Sequence, residues 1–198
     1  TLFRSFTVRA TDPQGNLSAV SAPWSVVVDL TAPTVPTLDN VNDDVSGGVQ
    51  GNLTSGQVTN DSTPTISGTG LAGSTIHIMN NGTQIGTTTV DGSGNWSFTP
   101  TTPLGDGSYA LRAYATDAAG NASANSSVFA FTVDTAAPGV PVVTSVVDDI
   151  GPVTGTLTSG NSTNDARPTF SGTGEVGSTV HVLVDGNEIG TAVVNAQG

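Results

Sequence analysis

An internal repeat constrains the fold of this chain more than any other feature of its sequence. The stretch DLTAPTVP at 29–36 returns as DTAAPGVP at 134–141, at an offset of 105 residues. ATDPQGN at 10–16 returns as ATDAAGN at 115–121 with the same offset. Because self-similarity at a fixed period marks a tandem array, we expect several copies of one structural unit rather than one large domain.

The repeat register divides the chain into three pieces. After a one-residue deletion, TNDSTPTISGTG at 59–70 matches TNDARPTFSGTG at 163–174. We therefore expect residues 1–29 to be the C-terminal strands of a first copy, residues 30–134 a complete copy, and residues 135–198 the N-terminal part of a third. A unit of this size is typical of a small domain with its own core. The partial copies indicate that the sequence is a section of a longer protein.

The composition excludes several classes of function. The chain has no cysteine, no lysine and four arginines, and its formal net charge is −12. Without cysteine it can form neither a disulfide nor a thiolate zinc site, and it has no cysteine nucleophile. Nucleic acid and anionic membrane surfaces both attract positive charge. We therefore expect no nucleic-acid partner and no direct membrane insertion.

Apolar residues alternate with polar ones at period two, which predicts strands that are buried on one face. In the complete copy, the alternation and the turn signals between the runs predict seven strands, at 33–41, 63–69, 74–80, 84–90, 95–100, 108–116 and 123–133. No stretch has helical periodicity for more than a turn or two. The sequence therefore predicts an all-β chain of tandem immunoglobulin-like β-sandwich repeats of about 105 residues without a disulfide.

Acidic residues concentrate where the strand directions place the two ends of the sandwich. If successive strands alternate in direction, the loop at Asp117–Asn121 lies beside the incoming linker residue Asp29 at one end. The acidic and amide residues expected at the opposite end are Asp43, Asp44, Asn60, Asp61, Asp106 and Asp134. Their counterparts in the third copy are Asp148, Asp149, Asn164 and Asp165.

This distribution of charge points to a metal ion. Two like charges about 4 Å apart repel by roughly 4 kcal/mol at an effective dielectric constant near 20, and the chain has no lysine to offset them. Ca²⁺ binds six to eight oxygen ligands from carboxylates, amides, carbonyls and water. We hypothesise that these residues bind Ca²⁺ and, with the prolines of the linkers, stiffen the junctions between domains. The alternative is that Asp and Asn serve only as turn residues.

The motifs D-x-x-A-P, ATDxxGN, TNDxxPTxSGTG and GST resemble the bacterial immunoglobulin-like repeats of very large surface adhesins, including biofilm-associated proteins. The resemblance covers essentially the whole chain. It implies a stalk exported by type I secretion to the cell surface, with calcium near domain boundaries. The residues onto which it carries that calcium are Asp29, Asp117, Asn121 and Asp134, with further support for Asp43, Asp44, Asn60 and Asp61. Pro152 and the shortened segment around it depart from the middle copy, which leaves the geometry near Asp148 and Asp149 less well defined.

The sequence contains no set of residues that predicts catalysis. His77 and His181 recur at the repeat period, which indicates a structural, cross-strand role, and Trp24 and Trp96 are expected in cores. We therefore expect a structural stalk segment that supports adhesion or biofilm formation. Its partners would be neighbouring repeats of the same chain, with surface glycans or proteins bound through other regions. Two alternatives remain: a module that itself binds a glycan or protein, and a spacer in a secreted multidomain enzyme.

Overall fold

The computed structural model describes residues 2–198, which form strands and connecting loops and contain no helix. None of these residues therefore belongs to a helix long and apolar enough to cross a membrane. The chain divides between Ala136 and Ala137 into two compact units. The strands of the first unit are β1 (Leu2–Phe6), β2 (Trp24–Val28), β3 (Asn40–Asp43), β4 (Gly51–Asn52), β5 (Val58–Thr59), β6 (Thr65–Thr69), β7 (Thr75–Asn80), β8 (Thr83–Thr89), β9 (Asn95–Phe98), β10 (Gly107–Thr116) and β11 (Phe129–Val133). The strands of the second unit are β12 (Val142–Asp148), β13 (Gly155–Leu157), β14 (Thr169–Thr173), β15 (Thr179–Val184) and β16 (Asn187–Val193).

Strands β3–β11 form two sheets, one with the order β5-β11-β10-β7-β8 and one with the order β4-β3-β6-β9. The inward positions of the period-two runs supply the core. Ile66, Ile76, Ile78 and Leu111 have no solvent exposure, and Phe131 is 2% exposed. Burying each such side chain contributes about 1.5–3 kcal/mol. This arrangement confirms the predicted all-β sandwich.

A hydrogen bond at the start of β10 also marks the immunoglobulin-like fold. The Tyr109 hydroxyl donates to the main-chain carbonyl of Gly105, four residues upstream, at 2.8 Å. The Tyr109 ring stacks on the buried Phe131 ring with centroids 5.3 Å apart. A tyrosine that bonds back to the backbone at this corner is a recurrent feature of immunoglobulin-like sandwiches.

Five of the seven predicted strands lie within two residues of the observed ones, and the other two begin later than expected. The first predicted strand, 33–41, begins only at Asn40, because Pro33 and Pro36 cannot donate to a sheet. Residues 37–39 still lie against β6, since Thr37 N donates to Thr69 O at 2.9 Å.

The last predicted strand, 123–133, begins at Phe129 because two serine side chains replace its early sheet hydrogen bonds. The hydroxyls of Ser123 and Ser126 accept from Ala115 N and Ala113 N, both at 2.9 Å. The short strands β4 and β5 were not predicted.

The turns between β7 and β8 and between β15 and β16 have the chemistry that the sequence indicated. Asn81 and Gly82 have φ values of 48° and 87°, and Asp185 and Gly186 have φ values of 49° and 80°. Asn-Gly and Asp-Gly pairs suit such two-residue hairpins, because both central residues need a positive φ.

Residues 2–28 form a two-stranded hairpin, in which β1 pairs antiparallel with β2 and Phe6 lies opposite Trp24. Trp24 is 75% exposed. The prediction that it fills a core is therefore wrong for the part of the chain that the structure describes, in which β1 and β2 form a sheet of only two strands. Trp96 is 3% exposed, which confirms the prediction for that residue.

The second unit has a three-stranded sheet of order β13-β12-β14 and a two-stranded sheet of β15 and β16. Its strand pairs repeat details of the first unit. The register shift between Ile78 and Met79 in β7 recurs between Val182 and Leu183 in β15.

Candidate functional site

Two buried aspartates meet at one end of the β3–β11 sandwich through the hydroxyl of Thr59. Asp43 and Asp61 are each 1% exposed and Thr59 is 2% exposed. Thr59 Oγ1 donates to Asp43 Oδ2 at 2.5 Å and accepts from Asp61 N at 3.0 Å. The short strand β5 holds Thr59 in place, because its pairing with β11 sets Thr59 opposite Val133. The Thr59 hydroxyl thus links the Asp43 carboxylate to the main chain of Asp61, and both aspartate side chains are buried.

Neutral hydrogen-bond donors reach only some of the carboxylate oxygens of Asp43 and Asp61. Asp43 Oδ1 accepts from Val45 N at 2.9 Å. Asp61 Oδ1 accepts from the amide and the hydroxyl of Thr63 at 2.7 and 3.3 Å. Asp61 Oδ2 is buried and has no hydrogen-bond partner. A buried acceptor without a donor costs about 1–3 kcal/mol, and more when it is charged.

Asn60 contributes a second unpartnered oxygen. Its Nδ2 donates to the main-chain carbonyl of Ser46 at 3.1 Å, and its Oδ1 is buried without a partner. Gly48 lies next to this side chain, since a Cβ there would be in ordinary van der Waals contact with Asn60 Oδ1 at 3.5 Å. An amide oxygen and a carboxylate oxygen, both without donors, are ligands of the kind that Ca²⁺ prefers.

The second unit repeats this arrangement at the counterparts of the same residues. Asp148 and Asp165 are 4% and 7% exposed. Thr163 Oγ1 donates to Asp148 Oδ2 at 2.6 Å and accepts from Asp165 N at 2.9 Å. Asn164 Nδ2 donates to Gly151 O at 3.0 Å, as Asn60 does to Ser46, although Asn164 is exposed.

The Thr-Asn-Asp motif connects this end of the sandwich to the outgoing linker. Asp134 N donates to Thr59 O at 2.9 Å. Asp106 Oδ1 accepts from the amide and the hydroxyl of Thr135 at 2.9 and 2.8 Å. Asp134 Oδ1 accepts from Ala136 N at 3.1 Å. The structure therefore places the end of β11 and the first linker residues beside the buried pair.

Five of the predicted ligands are exposed, namely Asp44, Asp106, Asp134, Asp149 and Asn164. Asp44 is exposed and directly follows the buried Asp43. Asp149 is also exposed, and its backbone amide lies 3.5 Å from Asp165 Oδ2. Neither side chain takes part in the hydrogen bonds of its neighbouring buried pair.

At the opposite end of the sandwich, the residues that the sequence grouped do come together. Asn121 Nδ2 donates to Asp29 O at 3.1 Å and to Asp117 Oδ2 at 2.9 Å. Asp117 Oδ1 accepts from Ala119 N and Asn121 N at 2.9 and 2.8 Å. The Asn121 side chain lowers the pKa of Asp117 below its ordinary value of 3.8 by more than burial raises it, and backbone N–H groups of the loop lower it further.

The same loop occurs at Asp12–Asn16, where Asp12 Oδ1 accepts from two backbone amides and Asp12 Oδ2 accepts from Asn16 Nδ2 at 2.8 Å. In both loops the carboxylate already accepts from its own turn, as the turn alternative requires. The metal assignment of Asp29, Asp117 and Asn121 stays a prediction, and the donors that surround Asp117 do not favour it.

The buried end offers two side-chain oxygens without hydrogen-bond donors, Asp61 Oδ2 and Asn60 Oδ1. Residues 2–198 contain no group of three or more His, Cys, Asp or Glu side chains arranged to hold a metal ion. A cation beside Asp43 and Asp61 would therefore depend on two carboxylates and on neutral oxygens such as Asn60 Oδ1. Calcium sites commonly include amide, carbonyl and water oxygens, so the binding of Ca²⁺ at this end stays a prediction that these oxygens do not exclude.

Sequence reasoning missed Thr59 and Thr163, whose hydroxyls join the two aspartates in each unit. The signal was present, because both belong to the Thr-Asn-Asp motif that recurs in the two copies. His77 has the structural role that was predicted. Its Nδ1 lies 2.8 Å from Gln84 Oε1 and its Nε2 lies 3.0 Å from Thr116 Oγ1 on the neighbouring strand.

The chain resembles parts of two large proteins. Over 148 residues it is 34% identical to exoglucanase B of Cellulomonas fimi, which covers 69% of this chain and 12% of that protein. Over 128 residues it is 37% identical to exoglucanase A of the same organism, which covers 62% of this chain and 13% of that protein. The chain thus spans only about an eighth of the length of these relatives.

Two solved structures are also similar, at low identity. One is the BSP domain of a biofilm associated protein, which is 22% identical with a TM-score of 0.36 and matches 69% of this chain and 20% of that chain. The other contains fibronectin(III)-like modules of Clostridium thermocellum CbhA, which are 20% identical with a TM-score of 0.36 and match 70% of this chain and 69% of that chain.

The family is shown by a sequence model that spans most of the first sandwich. The model of the bacterial Ig-like domain matches residues 32–135, which is more than half of the chain and includes every strand from β3 to β11. The chain therefore belongs to the bacterial Ig-like domain family.

Proposed function

We propose that the chain is a structural segment of a bacterial cell-surface adhesin, in which Ca²⁺ bound at the carboxylate-rich ends of the Ig-like domains stiffens the array. The observation that carries the proposal is the buried pair Asp43 and Asp61, with an oxygen of Asp61 that accepts no hydrogen bond. The Oδ1 atoms of Asp43 and Asp61 accept from amides two residues on, as turn residues do. The buried Asp61 Oδ2 is the carboxylate oxygen that a turn role leaves unexplained.

Asp43, Asp61 and Asn60 would hold the cation, which supplies positive charge against two buried negative groups. Hydrogen bonds of the chain itself then connect these residues to the linker. Thr59 contacts both Asp43 and the amide of Asp61, and its carbonyl accepts from Asp134 N. Fixing the two carboxylates therefore fixes the end of β11, from which the linker leaves.

The linker itself favours stiffness. Pro138 and Pro141 restrict the backbone that follows Asp134. Asp106 holds Thr135 by two hydrogen bonds, and Asp134 accepts from Ala136. We propose that the partners of the segment are neighbouring domains of the same chain, outside the cell, and that it has no catalytic role.

A second candidate is a spacer in a secreted multidomain enzyme, which the two exoglucanase relatives favour. Both candidates use the same fold and the same stiff junctions. Sequencing the parent gene separates them, because a long array of Ig-like domains supports the stalk, whereas a few copies beside a hydrolase domain support the spacer.

Small-angle X-ray scattering tests the stiffening directly. We expect the maximum dimension of the chain to rise in millimolar Ca²⁺ relative to chelator, and the profile to become that of a rod. Mg²⁺ at the same ionic strength is the control, since it binds all-protein oxygen sites poorly. Identical profiles in calcium and chelator would refute the proposal.

A further inference from the structure

The first and last strands of the β3–β11 sandwich belong to different sheets. β3 follows the incoming linker and lies in the four-stranded sheet, whereas β11 precedes the outgoing linker and lies in the five-stranded sheet. Asp29, just before the incoming linker, contacts Asn121 at one end of the sandwich, and Asp134 leaves the opposite end beside Thr59. Tension applied through the two linkers therefore pulls β3 and β11 in opposite directions along their lengths.

β11 is held near the outgoing linker by a segment that runs parallel to it. β5 pairs with β11 in parallel, and Thr59 lies opposite Val133. Main-chain hydrogen bonds of 2.8 to 3.0 Å join residues 56–59 to residues 130–134. These bonds lie across the strand axis, so tension along β11 strains them together instead of breaking them one after another.

The side chain of Thr59 connects this segment to the other sheet. Its hydroxyl donates to Asp43 Oδ2 at 2.5 Å, and Asp43 is the last residue of β3. The carbonyl of Thr59 accepts from Asp134 N at 2.9 Å. A continuous path of covalent and hydrogen bonds therefore runs from β3 through the Asp43 side chain and Thr59 to the residue at which the outgoing linker begins.

The Asp43–Thr59 hydrogen bond is suited to resist tension. Its length lies in the range of about 2.5–2.7 Å that is typical of a hydroxyl bonded to a carboxylate, which is one of the stronger hydrogen bonds in proteins. Asp43 is 1% exposed and Thr59 is 2% exposed, so solvent does not compete for the bond while the domain is folded. Val45 N donates to Asp43 Oδ1 at 2.9 Å and fixes the carboxylate.

The incoming end of the domain is also held firmly. Thr37 N donates to Thr69 O at 2.9 Å, and Thr69 N donates to Thr37 Oγ1 at 2.8 Å. Gly68 permits this close approach, because a Cβ there would overlap the carbonyl oxygen of Thr37. Tension on the incoming linker is therefore shared between β3 and β6 and is not concentrated on the first residue.

The second unit contains the same side-chain bond. Thr163 Oγ1 donates to Asp148 Oδ2 at 2.6 Å, and Asp148 is the last residue of β12. Thr59 and Thr163 occupy the first position of the Thr-Asn-Asp motif in their copies. The bond is thus a repeated feature of the unit.

We propose that the Asp43–Thr59 hydrogen bond is a mechanical cross-link, which holds the two sheets of the domain together when tension acts through its linkers. Thr59 transmits the tension, because it bonds the first strand through its side chain and the end of the last strand through its main chain. The use of this cross-link in the cell rests on the proposed role as a stalk. The bond itself forms within the chain and needs no Ca²⁺.

Single-molecule force spectroscopy on the full chain, held at its two ends in chelator, tests the proposal. Unfolding of residues 37–134 lengthens the chain by roughly 300 Å, which identifies the events of this domain. Thr59→Val removes the hydroxyl and should raise the unfolding rate under a given force by roughly 10- to 100-fold, the factor expected for the loss of a hydrogen bond to a charged group. Thr59→Ser keeps the hydroxyl and should unfold like wild type.

Ser126→Ala is the control for a buried hydroxyl that lies off this path. Ser126 is 5% exposed, and its hydroxyl accepts from Ala113 N at 2.9 Å. Its loss should lower the urea midpoint, because a buried amide loses its acceptor. Ser126 lies upstream of β11, so tension on Asp134 reaches it after β11 has detached. The unfolding force of Ser126→Ala should therefore equal that of wild type.

A change of pulling direction covers the case in which Thr59→Val does not fold. Asn81→Cys places an attachment point on the exposed β7–β8 turn of a chain without cysteine. Tension between the N-terminal end and residue 81 bypasses Thr59, so this domain should unfold at a lower force than when it is held at its two ends. Equal forces in the two directions would overturn the proposal. So would a Thr59→Val variant that unfolds at the wild-type rate, or an equal loss of force in Ser126→Ala, and neither result would bear on the calcium-dependent stiffening.

Discussion

The Asp61→Asn substitution tests two properties of this carboxylate separately. One is the free-energy cost of burying it, and the other is its use as a calcium ligand. The substitution keeps the Oδ1 atom that accepts from Thr63 at 2.7 and 3.3 Å, and replaces Oδ2, which accepts no hydrogen bond. In chelator the variant loses a buried acceptor oxygen that has no donor. We expect its free energy of unfolding to rise by about 1 kcal/mol, the lower end of the cost of an unsatisfied buried acceptor.

Calcium should reverse the order of stability, so that the wild type becomes more stable than the Asp61→Asn variant. Extracellular calcium modules have Kd values of roughly 10⁻⁴–10⁻³ M, so about 10 mM Ca²⁺ would stabilise the wild type by roughly 1.4–2.7 kcal/mol per site. The variant should gain little at this site. For a domain of about 100 residues each kcal/mol shifts Tm by roughly 4–8 °C. The reversal in the order of stability is therefore measurable as a change in Tm.

Tryptophan fluorescence reports on the relevant domain, because Trp96 is buried in the β3–β11 core and the other tryptophan is already exposed. Asp185→Asn is a matched control, since it removes the same charge from an exposed turn whose counterpart is Asn81. An Asp61→Asn variant that is less stable than wild type in chelator would show that the carboxylate is satisfied without metal, and the reasoning would fail.

Three further predictions concern packing, the tyrosine corner and pH, and thermal or urea unfolding checks each of them. Gly86→Ala should destabilise the domain by about 1–3 kcal/mol, because the added Cβ overlaps the Phe98 ring, and an unchanged Tm would contradict the packing. Tyr109→Phe should cost about 0.5–1.5 kcal/mol through loss of its main-chain hydrogen bond, with retained stability as the contrary outcome. Hydrogen bonding lowers the pKa of Asp117 in the folded state, so its contribution is present above the unfolded value of 3.8 and is lost as pH falls through the folded pKa. Asn121→Ala should therefore make the free energy of unfolding depend less steeply on pH below about pH 4. An unchanged pH dependence in that range would argue against this assignment.

Strands with a clear alternation were predictable because the signal is local. Residues 75–80 alternate polar and buried apolar side chains, and the strand predicted at 74–80 differs from β7 by one residue. The hairpin turn at Asn81–Gly82 was readable for the same reason, since two adjacent residues determine its backbone conformation.

Features that depend on distant partners were not predictable. β5 has two residues and exists because it lies parallel to β11, more than seventy residues away. Trp24 looks like a core residue by composition, yet it is exposed within residues 2–198, where β1 and β2 pair only with each other. Propensity carries no information about which layer covers a strand.

The sequence predicted the location of the candidate site, but it did not predict the side-chain contacts or the burial there. Counting strand directions brought Asp43, Asp61 and Asp134 to one end, and the structure places them there. The hydroxyl of Thr59 and the depth of burial depend on side-chain packing that a sequence pattern does not encode. Asp44 directly follows the end of β3 and is exposed, although its neighbour Asp43 is buried.

Isothermal titration calorimetry with Ca²⁺ tests the central claim most directly. The wild-type chain should bind calcium at the Asp43–Asp61 pair and at the Asp148–Asp165 pair. Replacing Asp61 and Asp165 together by asparagine should lower the number of bound ions by two while the chain stays folded. A wild type that binds no calcium at millimolar concentration, or a double variant that binds as many ions as the wild type, would contradict the account.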